Sequence, residues 1–331
     1  MRRDRLMADL WLQFVLTIDA TLRVATPLIL CAMAGIFSER AGIIDISLEG
    51  KMLMGAFCAA SVAAVTGSPV LGLGSAMVIC VLLSLLHGFA CITHKGNQVI
   101  SGLAINILAS GLTVTLGIAF FARGGQTPLL SGDQRFGAIN LPFAETLGAH
   151  IPILGTIYKE ILSGHNILVW LALLMVIATS YILFKTSFGL RLRAVGEKPE
   201  AIDSAGLSVS SMRFQAILIA GLLTGIAGAY LSTAHGAGFV REMTAGKGYI
   251  ALAAMIFGKW RPGPALGACL MFGFLDALAA RLQGVSLPYI GEVSTDLILA
   301  LPYVMTVILL AGFIGSARPP RAIGEPYVKE R

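Results

Sequence analysis

Lys185 to Arg213 reads KTSFGLRLRAVGEKPEAIDSAGLSVSSMR. This polar, basic stretch lies between one long apolar segment at 166–184 and another at 213–234, and it carries Lys185, Arg191, Arg193, Lys198 and Arg213. Basic residues in a short connection between apolar spans mark the cytoplasmic side of a membrane protein. A water-soluble island of this size in the middle of an apolar chain also implies a contact made in water.

The composition agrees with a membrane setting. Of 331 residues, 56% are hydrophobic and 13% charged, and the mean hydropathy is +0.82. Soluble domains carry about 25% charged residues. With 38 Gly, 12 Met and 8% aromatics, the apolar content is small and aliphatic, which suits helices packed closely on helices in lipid. Lipid admits only helices or closed barrels, and these segments do not alternate in polarity. The expected fold class is therefore all-α, a polytopic membrane helical bundle.

Working outward from the island, nine apolar segments can be marked: 12–37, 50–66, 69–92, 98–121, 166–184, 213–234, 248–258, 263–281 and 297–314. A tilted span needs about 17 to 25 residues. The segment at 248–258 falls short, so it reads as a half-helix or as one extended by the glycine-rich run from Gly236 to Gly248. Broken helices face protein or a water-filled cavity. Arg318, Arg321, Lys329 and Arg331 put the C-terminus on the same cytoplasmic side as the island. Five complete spans before the island place the N-terminus outside, whereas Arg2, Arg3 and Arg5 favour the inside; a re-entrant 50–66 is the alternative. The outside version gives two halves of opposite orientation. Gly50-Lys51 and Gly246-Lys247 then stand before short apolar segments in corresponding positions, a pointer to a translocation site. The expectation is one domain, 1–331, of eight or nine transmembrane segments with inverted repeats and broken helices. A cytoplasmic segment at 185–213 and an extracytoplasmic loop at 122–165 belong to it.

Several chemistries are excluded. The net charge of +6 sits in loops and termini, so it speaks for membrane orientation and against nucleic acid. Cys31, Cys58, Cys80, Cys91 and Cys269 lie in apolar segments without paired spacing, as buried small hydrophobes do. The five histidines lack metal-ligand spacing, so no metal is expected. The two Gly-Lys pairs lack the glycine-rich phosphate loop, and no catalytic cluster is present, so neither an enzyme nor a cofactor is expected in this chain.

Three polar features remain. In the island, Pro199 fits the first turn of a short helix, Glu200 and Asp203 sit on it, and Gly206 fits its stop. An amphipathic helix of one or two turns is expected there, with a plain surface loop as the alternative. FSERAGIIDISLEG, from Phe37 to Gly50, reads locally as a polar turn with a helix cap at Ser47. Asn106 is an amide inside an apolar helix. It either bonds a neighbouring helix or, with Asn97 and Gln98, lines a pathway for a hydroxylated or heterocyclic solute. Asp276 and Asp296 read as solvated caps or structural pairs.

Arg193 to Leu207 resembles the R-A-V-G-E-N-P-x-A-A-x-x-A-G-I run of ABC-importer permeases of the branched-chain amino acid, ribose and nucleoside superfamily, with Lys198 where Asn is common. Phe37 to Gly50 is similar to the F-S-E-R-x-G-V-x-N-I-x-L-E-G signature of the nucleoside branch, with Asp45 replacing Asn. Gly96 to Asn106 resembles that branch's N-E-V-I-x-G-L-A-x-N segment with Gln98 for Glu. Gly246 to Trp260, Leu301 to Tyr303 and Gly324 to Tyr327 fit as well.

The resemblance implies a translocation subunit whose island helix couples to an ATPase through Arg193, Gly196, Glu197, Pro199, Ala201, Ala205 and Gly206. It makes Asn97, Gln98, Asn106, Asp45, Glu49 and Lys247 candidates for the translocation pathway. The implied partners are an ABC ATPase subunit that binds ATP and Mg, a second permease, homologous or identical, and an extracytoplasmic solute-binding protein. The implied location is the inner membrane. A nucleoside is the implied solute; a simple sugar is the alternative, and an ion-coupled secondary transporter is the alternative of another class.

Overall fold

The computed structural model describes residues 2–142, 152–282, 286–287, 291–292, 300, 304, 307 and 318–329. Its helices start and stop where the sequence punctuates them. They are α1 Arg2–Arg40, α2 Leu48–Thr66, α3 Pro69–Gly88, α4 Gln98–Phe121, α5 Pro152–Ile157, α6 Ile167–Lys185, α7 Ser187–Glu197, α8 Pro199–Ser204, α9 Val209–Tyr230, α10 Lys247–Phe257 and α11 Pro262–Leu282. Ser68 precedes Pro69 and caps α3, while the side chains of Asn97, Asn166, Thr186 and Ser208 accept the first free N–H groups of α4, α6, α7 and α9. Gly67 closes α2 in the left-handed region, as a residue without Cβ does readily.

Among the described residues seven helices are long and apolar enough to cross a membrane, against the eight or nine segments expected of the whole chain. Lys247–Phe257, at 11 residues, is too short to span alone. The ninth segment, 297–314, lies outside the described residues apart from isolated positions, as do Asp296 and Leu301 to Tyr303.

The buried helices are α1, α2 and α9. The first, α1, packs on α6, α9, α10 and α11, and α9 also packs on α2 and α3. Small residues let these backbones meet. A Cβ on Gly228 would lie 2.5 Å from the Met52 carbonyl, and one on Gly225 would lie 2.7 Å from Met77 Cα. By contrast α3, α4 and α6 leave most of their surfaces uncovered.

The island forms two helices where one was expected. Gly189, Leu192, Val195 and Gly196 of α7 are buried, and the end of α7 abuts the end of α1 so closely that a Cβ on Gly196 would lie 2.2 Å from the Arg40 carbonyl. The short helix α8 follows with Pro199 in its first turn, and Gly206 beyond it has φ +79°. The chain's last described residues return to this corner. Ala322 N donates to Gly196 O (2.8 Å), Gly324 N to Gly42 O (3.0 Å) and Arg213 Nη1 to Glu325 O (3.0 Å).

At the other end, the 122–165 connection contains a two-residue antiparallel pair, β1 Ala138–Ile139 with β2 His165–Asn166. It also folds back onto the bundle: Thr127 N donates to Phe239 O and Leu130 N to Ala237 O.

Candidate functional site

Residues 41–47, between α1 and α2, are irregular backbone held inside the bundle. Such backbone is tolerated at membrane depth only when its polar groups are satisfied by protein. Ile44 N donates to Gln98 Oε1 (2.6 Å), Ile44 O lies 3.1 Å from His87 Nε2, and Ile46 O accepts from Asn106 Nδ2 (3.1 Å). Asp45 and Lys51, both fully buried, form an ion pair of 2.7 Å. Ser47 directs its hydroxyl to Asp45 Oδ1 and makes no side-chain cap on α2, which corrects the expected capping role. The buried carboxylate outcompetes a backbone N–H because a charged acceptor makes the stronger bond.

Just beyond this loop, the N-termini of α2 and α10 meet. Glu49, in the first turn of α2, accepts from Gly246 N through Oε1 (2.8 Å) and from Gly248 N through Oε2 (2.6 Å). A carboxylate suits the positive end of a helix. The contact requires glycine, since a Cβ on Gly248 would lie 2.6 Å from Glu49 Cα.

Asn106 ties the same junction to α4. Its Oδ1 accepts from Gly50 N (2.8 Å), and its Nδ2 donates to Ile46 O and to Tyr249 Oη (2.8 Å). The amide thus bonds α2, the 41–47 loop and α10 at once. One turn further along α4, Ser110 donates to the carboxylate of Glu242. Glu242 lies in the irregular run between α9 and α10 at φ +54°, with Ala245 at +46° and Gly246 at +79°.

The sequence candidates therefore separate. Asp45, Glu49, Gln98 and Asn106 converge on the junction. Asn97 is an exposed cap of α4 that accepts from Val99 N and Ile100 N. Lys247 starts α10 between the two glycines that bond Glu49, but it lines a separate cavity of about 180 Å³ with Arg23, His235 and Asp276, between α1, α10, α11 and the end of α9. Tyr249, Ser110 and Glu242 were missed. A Ser in an apolar helix and a Glu after a glycine run carry no local signal; only the return of the chain onto α4 joins them.

In the island, the coupling candidates divide by exposure. Glu197, Ala201, Ala205 and Gly206 are exposed, Gly196 and Pro199 are buried, and Arg193 lies over the ring of Phe184 at 4.9 Å. A groove of about 640 Å³ runs beside α8, lined among others by Lys95, Asp203, Leu207, Phe214 and Lys329.

Comparison with known proteins places this architecture. The family described as "Branched-chain amino acid transport system / permease component" matches residues 17–310. The guanosine ABC transporter permease protein NupQ of Bacillus subtilis is 39% identical over 322 residues, covering 94% of this chain and 96% of that protein. The nucleoside ABC transporter permease protein NupC of Lactococcus lactis subsp. cremoris is 38% identical, covering 93% and 95%. A protein of Haloferax volcanii provisionally named as a glucose ABC transporter permease, TsgC13, is 37% identical, covering 82% and 78%. The chain is a multi-pass membrane protein and belongs to the branched-chain amino acid transport system permease family.

Proposed function

We propose that the chain is the permease subunit of an ATP-driven importer of nucleosides, guanosine among them. The observation that carries this is near-full-length identity of 39% and 38% to two permeases named for guanosine and for nucleosides. The junction of Glu49, Asn106 and the N-termini of α2 and α10 supports it, because a short, glycine-flanked helix such as α10 meeting another helix start inside the bundle is a usual pointer to a site of passage. Neutral amides and a tyrosine suit an uncharged, hydroxylated heterocycle.

In this proposal the island and the C-terminus face the cytoplasm, and the two halves of the chain run in opposite senses. The exposed face of Glu197, Ala201, Ala205 and Gly206 seats an ABC ATPase, the ATP and Mg being held there. A second permease, homologous or identical, completes the pathway, and an extracytoplasmic binding protein delivers the solute to the inner membrane.

The test is uptake of labelled guanosine by the chain reconstituted with those partners. Uptake that requires ATP and survives collapse of ion gradients is expected. Uptake driven by an ion gradient without the ATPase would overturn the proposal. A simple sugar is the second reading, favoured by the 37% identity to the protein provisionally named for glucose; glucose that displaces guanosine mole for mole would favour it.

A further inference from the structure

The uncovered surface of α4 poses an electrostatic problem. Ile100, Leu103, Ile107 and Ile118 are exposed along it, as on a helix that meets lipid. Yet Ser110, which holds the exposed carboxylate of Glu242, is 12 residues from the start of this 24-residue helix. At about 1.5 Å per residue that is roughly 18 Å along a helix about 36 Å long, near the middle of the span. An ionisable group exposed to hydrocarbon at that depth is costly, so such groups face a water-filled cavity or protein. The backbone carrying Glu242 points the same way. It is irregular, with Glu242 and Ala245 at positive φ, and irregular backbone at this depth lines a pathway or lies within protein. The Asn106 and Ser110 face of α4 therefore meets a water-filled pathway or protein rather than lipid.

Two recognition elements stand on that face. Asn106 and Ser110 are four residues apart and share one side of the helix. Asn106 holds the hydroxyl of Tyr249, a residue that is 43% exposed. Ser110 holds Oε1 of Glu242, and Oε2 has no partner among the described residues. A flat ring and an acceptor-only carboxylate thus lie about one helical turn apart.

We infer that Glu242 reads the hydrogen-bond donors of a purine base in the pathway, with the ring of Tyr249 as its stacking surface. This rests on the nucleoside proposal above and names the base. A carboxylate accepts only, and it pairs best with two adjacent donors. Guanine offers two, N1–H and the 2-amino group. Hypoxanthine offers one, N1–H. Adenine and cytosine set a ring-nitrogen acceptor beside their amino group, which repels the carboxylate. The site therefore ranks guanosine above inosine and inosine above adenosine.

The binding protein captures solute first and sets the half-saturating concentration, so a pathway contact shows in the maximal rate. The experiment measures maximal uptake of guanosine and adenosine by the reconstituted transporter at saturating binding protein. Glu242→Gln keeps a partner for Ser110 but faces a donor to the base. It is expected to lower the guanosine rate about tenfold and the adenosine rate less than twofold. Equal losses for both, or none, overturn the inference while the nucleoside proposal stands. If the variant does not assemble, the wild type decides: N1-methylguanosine is expected to move about tenfold more slowly than guanosine, and equal maximal rates overturn the inference. A wild-type transporter that moves no nucleoside overturns both.

Discussion

The carboxylate of Glu49 accepts from the backbone N–H of Gly248 at 2.6 Å, across 199 positions of sequence. With its second bond to Gly246, this side chain serves as the cap that α10 lacks, since Gly246 has no side chain to offer. Glu49→Ala leaves two N–H groups at the buried helix start without an acceptor, at about 1–3 kcal/mol each. Thermal unfolding of the purified protein is expected at clearly lower temperature. Glu49→Gln, which retains one carbonyl acceptor, should lie between wild type and Glu49→Ala.

The Asp45 and Lys51 pair is buried on both sides. Removing one partner strands the other charge, which costs about 3–5 kcal/mol, whereas removing both is far milder. Asp45→Asn and Lys51→Met are each expected to lower folded yield sharply, and the double variant to recover much of it. Detergent-extracted yield, followed by chromatography for monodispersity, checks the order.

In the island, exposure separates two classes of variant. Glu197→Arg and Gly206→Trp alter exposed positions and are expected to abolish solute-stimulated ATP hydrolysis while membrane insertion persists. Gly196→Val sits 2.2 Å from the Arg40 carbonyl at its Cβ and should lose the folded protein itself. Unchanged ATPase stimulation in the first two variants would place docking elsewhere.

His165 in β2 lies 3.5 Å from Asp19 and edge-on to Trp170. Burial holds its imidazole below the ordinary 6.5, against the pull of Asp19 and with the push of Arg23. The unfolded chain then binds the proton first. Its contribution to stability is whole above about pH 6.5 and falls as the pH drops through that value toward the folded one. Unfolding temperature should decline between pH 7.5 and pH 5.5, and less steeply in His165→Gln.

Span positions were legible because the punctuation is local. Pro69, Asn97, Asn166 and Pro262 each fall within a residue or two of a helix start. The second island helix was not, because α7 is buried by α6, α9 and α1 together, and α1 lies some 150 residues earlier in the sequence. Ser47 reads as a cap until the buried Asp45 is known to compete for its hydroxyl. Asn106 shows itself as a polar residue in an apolar run, but its three partners lie on segments 56 to 143 residues away. Glu242 is the extreme case: in sequence it is a charged residue in a glycine-flanked loop, and only the fold brings it against Ser110 halfway along α4.

The final described residues fasten the first turn, the island and the start of α9 through Gly42, Gly196 and Arg213. Residues 322–325 are therefore synthesised after every helix they fasten. A variant truncated before Arg318 would keep the helices described above yet leave this corner unfastened.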